Sequence, residues 1–304
     1  MKKYKISIIY MFISTFLLAL MFAVIKDMLG IYDIMMVLFL RYAISFFIVL
    51  WVIILSNIRL KVSYSTFKKH LLRSFLIVCS QYCLFYYLLH HTILQGNLLF
   101  STGPLFIPLI SMFLLKEKIK PEIWMCIILS FIGVALIIKP DTNIFNSAMI
   151  LGLLSGFFNA CSQVIFHNTA KKENPFVINC WVYGMASIFS FIPILIFFSL
   201  NKISTQFITI FHSNIAMLFI ILPLLGISSQ NARTHAYKYV RVATSLSPFL
   251  YTTIIFTGIF SYIFFNHTPD ILTIAGSCIV IFGGLLLAYF KGAFRRKLAH
   301  VRNY

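Results

Sequence analysis

Acidic residues are scarce in this 304-residue chain: seven Asp and Glu stand against 25 Lys and Arg, and charged residues make up only 11%. A soluble domain carries about 25%. With 61% of residues hydrophobic, there is too little polar surface to face water, so lipid must be the solvent for most of the chain. Cysteine pairs at redox or metal spacing are also missing. Cys79, Cys83, Cys126, Cys161, Cys180 and Cys278 all lie in apolar segments without a CxxC, which reads as free buried thiols and not as a disulfide frame or metal site. The net charge of +18 is spread over short runs between apolar segments. No continuous basic face or nucleic-acid motif accompanies it, so it reads as a topology signal and as attraction to anionic lipid.

What is present is a succession of apolar segments close to the ~20 residues a membrane-spanning helix needs. Ten are read: 6–28, 33–55, 70–90, 93–115, 121–139, 147–168, 177–200, 215–236, 242–266 and 270–290. The first follows MKKYK and is too long for a signal-peptide core, so it is expected to be a retained helix. With the N-terminus cytoplasmic, Lys and Arg divide between alternate ends about seven to one in favour of the cytoplasm. Lys26, Lys139 and Lys202 are the exceptions. The expected protein is all-α, with ten transmembrane helices and both termini cytoplasmic.

The end of each half shares an order of features. GPLFIPLISMFLLKEKIKPEIWMCIILSFIGVALII and SPFLYTTIIFTGIFSYIFFNHTPDILTIAGSCIVIFGGLLLAY each carry an early proline (Pro104, Pro248), a polar break with a second proline (Pro121, Pro269) and a late glycine (Gly133, Gly283). Matching the late glycines sets Glu117 opposite His267 and Cys126 opposite Gly276. A repeat of five helices, 1–145 and 146–304, is odd-numbered, so its second copy is inverted. Inverted repeats are a signature of secondary carriers with a midplane site between the halves.

The same stretches, with FHNTAKKENPF after the sixth segment and LFLRYAISF in the second, resemble the drug/metabolite transporter superfamily, specifically its EamA-type permeases. The resemblance implies a bacterial inner-membrane carrier of small metabolites, working without a cofactor as a monomer or homodimer in the bilayer. Within that group the chain is similar to S-adenosylmethionine uptake transporters, which exchange it for S-adenosylhomocysteine. One departure is His267, where the family commonly has Glu.

Arg41 lies about 12 Å into the second segment. An ionisable residue at that depth either serves a site or anchors structure through backbone carbonyls. Gln81, Asn159 and Gln163 fall near segment centres, where amides need partners. They either line a polar cavity or bond between helices. Asn159 and Gln163 share a helix face. Tyr251, and behind it Trp181, are the expected cavity aromatics. Asn97, with Gln95, His90 and His91, marks an external vestibule. Pro104 and Pro248 are expected hinges, and Glu117 and His267 gate residues. All seven acidic residues lie at segment ends or turns. Proton relays use intramembrane Asp, Glu or His, so facilitated transport or exchange is expected, with S-adenosylmethionine as first cargo and an amino-acid or drug exporter as the alternative. A lipid-modifying membrane enzyme would need an interfacial His/Asp/Glu cluster, and a channel would need charge rings or a filter loop. Neither pattern is visible.

Overall fold

The computed structural model describes residues 2–115, 121–138, 147–169, 173–197, 217–238 and 247–301. Among these, every regular element is helical. In chain order they are α1 (Lys2–Leu29), α2 (Ile34–Leu55), α3 (Tyr64–His90), α4 (Ile93–Phe100), α5 (Gly103–Leu115), α6 (Pro121–Ile138), α7 (Ser147–Thr169), α8 (Pro175–Phe197), α9 (Leu218–Lys238), α10 (Ser247–Leu250), α11 (Thr252–Phe265) and α12 (Ile271–Val301). Five described stretches are long and apolar enough to cross a membrane: Lys5–Leu29, Ile34–Leu55, Tyr64–His90, Ile93–Ile110 and Pro175–Phe197. Shorter apolar helices cover Pro121–Ile137, Met149–Ile165, Thr252–Phe265 and Ile271–Leu287.

Local chemistry sets the boundaries. Ser63 accepts the Thr66 N–H and starts α3 six residues before the expected position. Thr92 and Gln95 form a capping box at α4. Asp270 accepts the Leu272 and Thr273 N–H groups and opens α12. Asn266 ends α11 in the left-handed region, at φ 50°.

The structure changes the picture of Pro104. It is not a mid-helix kink: Pro104 is the second residue of α5, behind a break at Ser101–Thr102. Pro248 lies at the start of the described stretch 247–301, and the helix there breaks after it at Tyr251. In a first turn the missing N–H has no intrahelical partner to lose. The prolines inside helices are Pro108, Pro193 and Pro223. Near Pro193, the Tyr82 hydroxyl donates to the Ser190 carbonyl at 3.0 Å, supplying a side-chain partner in a disturbed turn.

The packing is the reverse of a soluble protein. Trp51, Met125 and Phe197 face outward, whereas Ser14, Ser74, Ser155, Ser190 and Thr257 are fully buried. The most extensive helix pairs are α6 with α12, α3 with α7, α1 with α9 and α2 with α8. Each joins an element before residue 145 to one after it. One apolar core joins α1, α2 and α3 around Phe22, Ile25, Leu38, Leu84 and Phe85. A second joins α4, α6, α11 and α12 around Leu98, Leu99, Ile137, Ile254 and Val280.

Candidate functional site

A polar cluster lies where α2 and α3 face α8 and α9. The Arg41 Nη1 donates to Gln81 Oε1 at 2.7 Å. The Arg41 guanidinium also lies 5.3 Å from the Tyr42 ring centre and 5.9 Å from that of Phe85, within cation–π range. The Tyr42 and Tyr183 rings are 6.3 Å apart. Arg73 is only 5% exposed. It precedes Gln81 by two helical turns, about 12 Å along α3. Arg41, Arg73 and Arg233 all act electrostatically on Tyr183, and Arg41 and Arg73 also act on Tyr42. Asn179, one turn before Tyr183 on α8, is buried. Its Nδ2 and the Tyr42 hydroxyl have no hydrogen-bond partner among the described residues.

Toward the start of α3 the cluster ends at a contact between His70 and Glu173. His70 is fully buried, and its Nε2 lies 2.9 Å from Glu173 Oε2. At the opposite end, the Lys26 ammonium donates to the carbonyls of Leu88 and of His91, the latter at 3.1 Å. A cation there complements the C-terminus of α3. His91 stacks on Tyr87 with ring centres 4.2 Å apart. Burial, then the charges of His90 and Lys26, hold His91 below the usual histidine range.

Of the residues expected from sequence, Arg41 and Gln81 meet directly. The others sit elsewhere. Asn97 is buried on α4, and its Nδ2 donates to Thr257 Oγ1 on α11 at 3.0 Å. Asn159 lies on α7 beside Gly103, behind the α4–α5 break. Gln163 follows one turn on and is half-buried. Trp181 packs edge-on to Phe67, ring centres 5.4 Å apart. Tyr251 is buried in the second apolar core, against Gly284 of α12, away from the arginines. His267 is exposed and lines a cavity of about 50 Å³ with Gln95, Ser261 and Asp270. Glu117 lies outside the described residues.

Tyr42, Arg73, Asn179, Tyr183, Arg233 and Lys26 carry no site role in the sequence reading. Arg73 and Arg233 are read there as cytoplasmic topology charges. With α3 starting at 70, Arg73 falls in an exposed first turn. With the observed start at Tyr64 it lies well inside the helix. The signal was the polar stripe His70, Arg73, Ser74 and Gln81, at spacings that share one helix face.

The EamA-like transporter family model matches this chain twice, over residues 5–139 and 146–289. An S-adenosylmethionine uptake transporter of Rickettsia prowazekii (strain Madrid E) is 26% identical over 188 residues, which is 61% of this chain and 60% of that relative's length. The pseudopaline exporter CntI of Pseudomonas aeruginosa (strain UCBPP-PA14) is 23% identical over 213 residues, 69% of this chain and 70% of that one. A solved crystal structure superposes over 98% of both chains with a TM-score of 0.63 at 14% identity, a likeness of fold alone. Matched over both halves, the chain belongs to the EamA-like transporter family.

Proposed function

We propose that this chain is an inner-membrane secondary transporter that moves a small organic metabolite by alternating access, as a facilitator or exchanger. Its ten spans form two inverted halves, 1–145 and 146–304, with both termini cytoplasmic. The observation that carries this reading is the polar cluster set between α2 and α3, before residue 145, and α8 and α9, after it. A site shared by two halves becomes accessible from alternate sides when they rock against each other.

Residue-level packing supports the repeat. Ser80 Oγ on α3 donates to the Ser155 carbonyl on α7, and Ser229 Oγ on α9 donates to the Ser14 carbonyl on α1. Exchanging the halves turns one bond into the other. Tyr42 and Tyr183 are separated by the same chain interval as Ser14 and Ser155, so the facing tyrosines are equivalents across the pseudo-axis. A Cβ on Gly133 would lie 2.8 Å from the Gly276 carbonyl, and one on Gly283 would lie 3.2 Å from that of Cys126. These contacts interchange when Gly133 is matched to Gly283 and Cys126 to Gly276.

In this reading Arg41 and Gln81 meet the substrate. Asn97, Asn159, Gln163 and Trp181 shape its path, Pro104 and Pro248 mark the moving breaks, and Glu117 and His267 gate the ends. S-adenosylmethionine, exchanged for S-adenosylhomocysteine, is the first cargo to test, on the strength of the Rickettsia relative. Export of a carboxylated metabolite is the second reading, favoured by the buried Arg73 and the half-buried Arg41. The test is counterflow in proteoliposomes: labelled S-adenosylmethionine outside, S-adenosylhomocysteine inside. Saturable uptake dependent on the trans substrate is expected, and non-saturable flux would point to a pore instead. Cysteine labelling at positions 139 and 171 should report opposite sides. Equal accessibility from outside would overturn the ten-span topology.

A further inference from the structure

We propose that Arg41, Arg73 and Arg233, with Tyr42, Tyr183 and Asn179, form an oxyanion-binding column that selects cargo by a carboxylate or phosphate group. This rests on the transporter reading and adds a substrate class to it. The three guanidinium groups come from three helices, α2, α3 and α9, and all act electrostatically on the Tyr183 phenol of α8, whose ring stands 6.3 Å from that of Tyr42. One N–H of Arg41 goes to Gln81, out of five in the planar fork that matches a carboxylate or phosphate edge. Arg41 is half-buried, and its partner Gln81 is 7% exposed.

Two further donors belong to the same place. The Tyr42 hydroxyl and the Asn179 amide are buried, at 2% and 4% exposure, without a hydrogen-bond partner among the described residues. Buried donors want an acceptor, and an ionised oxyanion offers only acceptors. No described acidic residue accepts from the Tyr42 hydroxyl or the Asn179 amide. The described acidic residues, Asp27, Asp33, Glu122, Glu173 and Asp270, all lie at helix ends or between helices, and Glu173 is held by His70. Placing positive charge so deep in lipid is costly, and an anionic cargo offsets that cost while it is bound. Arg73 stands about 12 Å along α3 from Gln81, the partner of Arg41. The anion can therefore pass from one guanidinium toward the next as the halves rock.

The test uses the full chain in two arms. In the first, purified protein is melted in citrate, inorganic phosphate or chloride at equal ionic strength. Citrate or phosphate should raise the wild-type melting temperature above chloride by about 3 °C or more. Arg41→Gln should lose that shift. Gln81→Glu, which supplies an internal carboxylate to Arg41, should lose it too. Arg59→Gln, at an exposed position, should keep it. Whichever of citrate and phosphate acts identifies the oxyanion. No wild-type shift above chloride, or an equal shift in both Arg41→Gln and Gln81→Glu, overturns the column. Gln81→Glu decides alone if Arg41→Gln fails to fold.

In the second arm, proteoliposomes are offered S-adenosylmethionine or its decarboxylated analogue. A preference of about tenfold for the carboxylate form, shrinking in Gln81→Glu, is expected. An anion shift without S-adenosylmethionine counterflow removes that cargo and leaves the column standing. Equal carriage of both compounds without an anion shift removes the column and leaves the transporter.

Discussion

Two interfaces between the halves solve the same packing problem in opposite ways. Between α6 and α12 the helices approach through glycine. A Cβ on Gly276 would lie 2.6 Å from the Gly133 carbonyl, and the surroundings, Val134, Ile137 and Val280, are apolar. Between α2, α3, α8 and α9 the helices enclose arginines, tyrosines and amides. Lipid gives helices little hydrophobic reason to associate, so close backbone approach and interhelical hydrogen bonds do the work. The first interface uses close approach and is suited to remain fixed. The second keeps charge in lipid at a cost, as a structure does when the charge serves a function.

The contrast is tested most severely by Gly276→Leu. Its side chain has no room against the α6 backbone, so a loss of about 3 kcal/mol is expected, read as a large drop in melting temperature. Transport per folded molecule should survive in whatever fraction folds.

A sharper comparison makes the same substitution in both regions. Tyr42 and Tyr251 are both buried, and neither hydroxyl has a hydrogen-bond partner among the described residues. Tyr42→Phe should leave the melting temperature in place and reduce counterflow by about tenfold, the value of one hydrogen bond of about 1.4 kcal/mol to cargo. Tyr251→Phe should change neither by more than about 0.5 kcal/mol. Equal effects at the two sites would erase the distinction drawn here.

A smaller effect is expected where the two regions meet. Asn97 and Thr257 share a 3.0 Å hydrogen bond. A double-mutant cycle with Asn97→Ala and Thr257→Val, followed by unfolding in detergent, should give a coupling of about 0.6 kcal/mol.

The smallest is the pH response of the Lys26 clasp. His91 sits below the ordinary histidine value of 6.5, so its folded state favours the neutral ring. Its stabilising contribution is complete above 6.5 and is lost as pH falls below 6.5 toward the lower folded value. Melting temperature should therefore decline slightly on acidification, and His91→Gln should flatten that decline.

Much of the fold was legible because hydrocarbon imposes a length and a polarity on each segment. Several helix positions and the proline–break–glycine order were readable. So was Arg41, since a charge inside an apolar run is conspicuous. Arg73 was not, because its role depends on where α3 begins, and the Ser63 cap moved that start to Tyr64. Arg233 was hidden for a related reason: a basic residue near a helix end reads as a topology signal until its neighbours across the bundle are known. Tyr251 was expected at the cavity from its place after Pro248, yet the break there turns it into the α12 packing.

The sequence by itself determined an all-helical, apolar membrane chain and its family, because composition, apolar length and motif order are properties of the chain alone. Only the tertiary structure decided which polar residues cluster together. Tyr42, Arg73, Asn179, Tyr183 and Arg233 come from four helices in both halves, and convergence across a bundle follows from helix register and rotation, which no local pattern encodes.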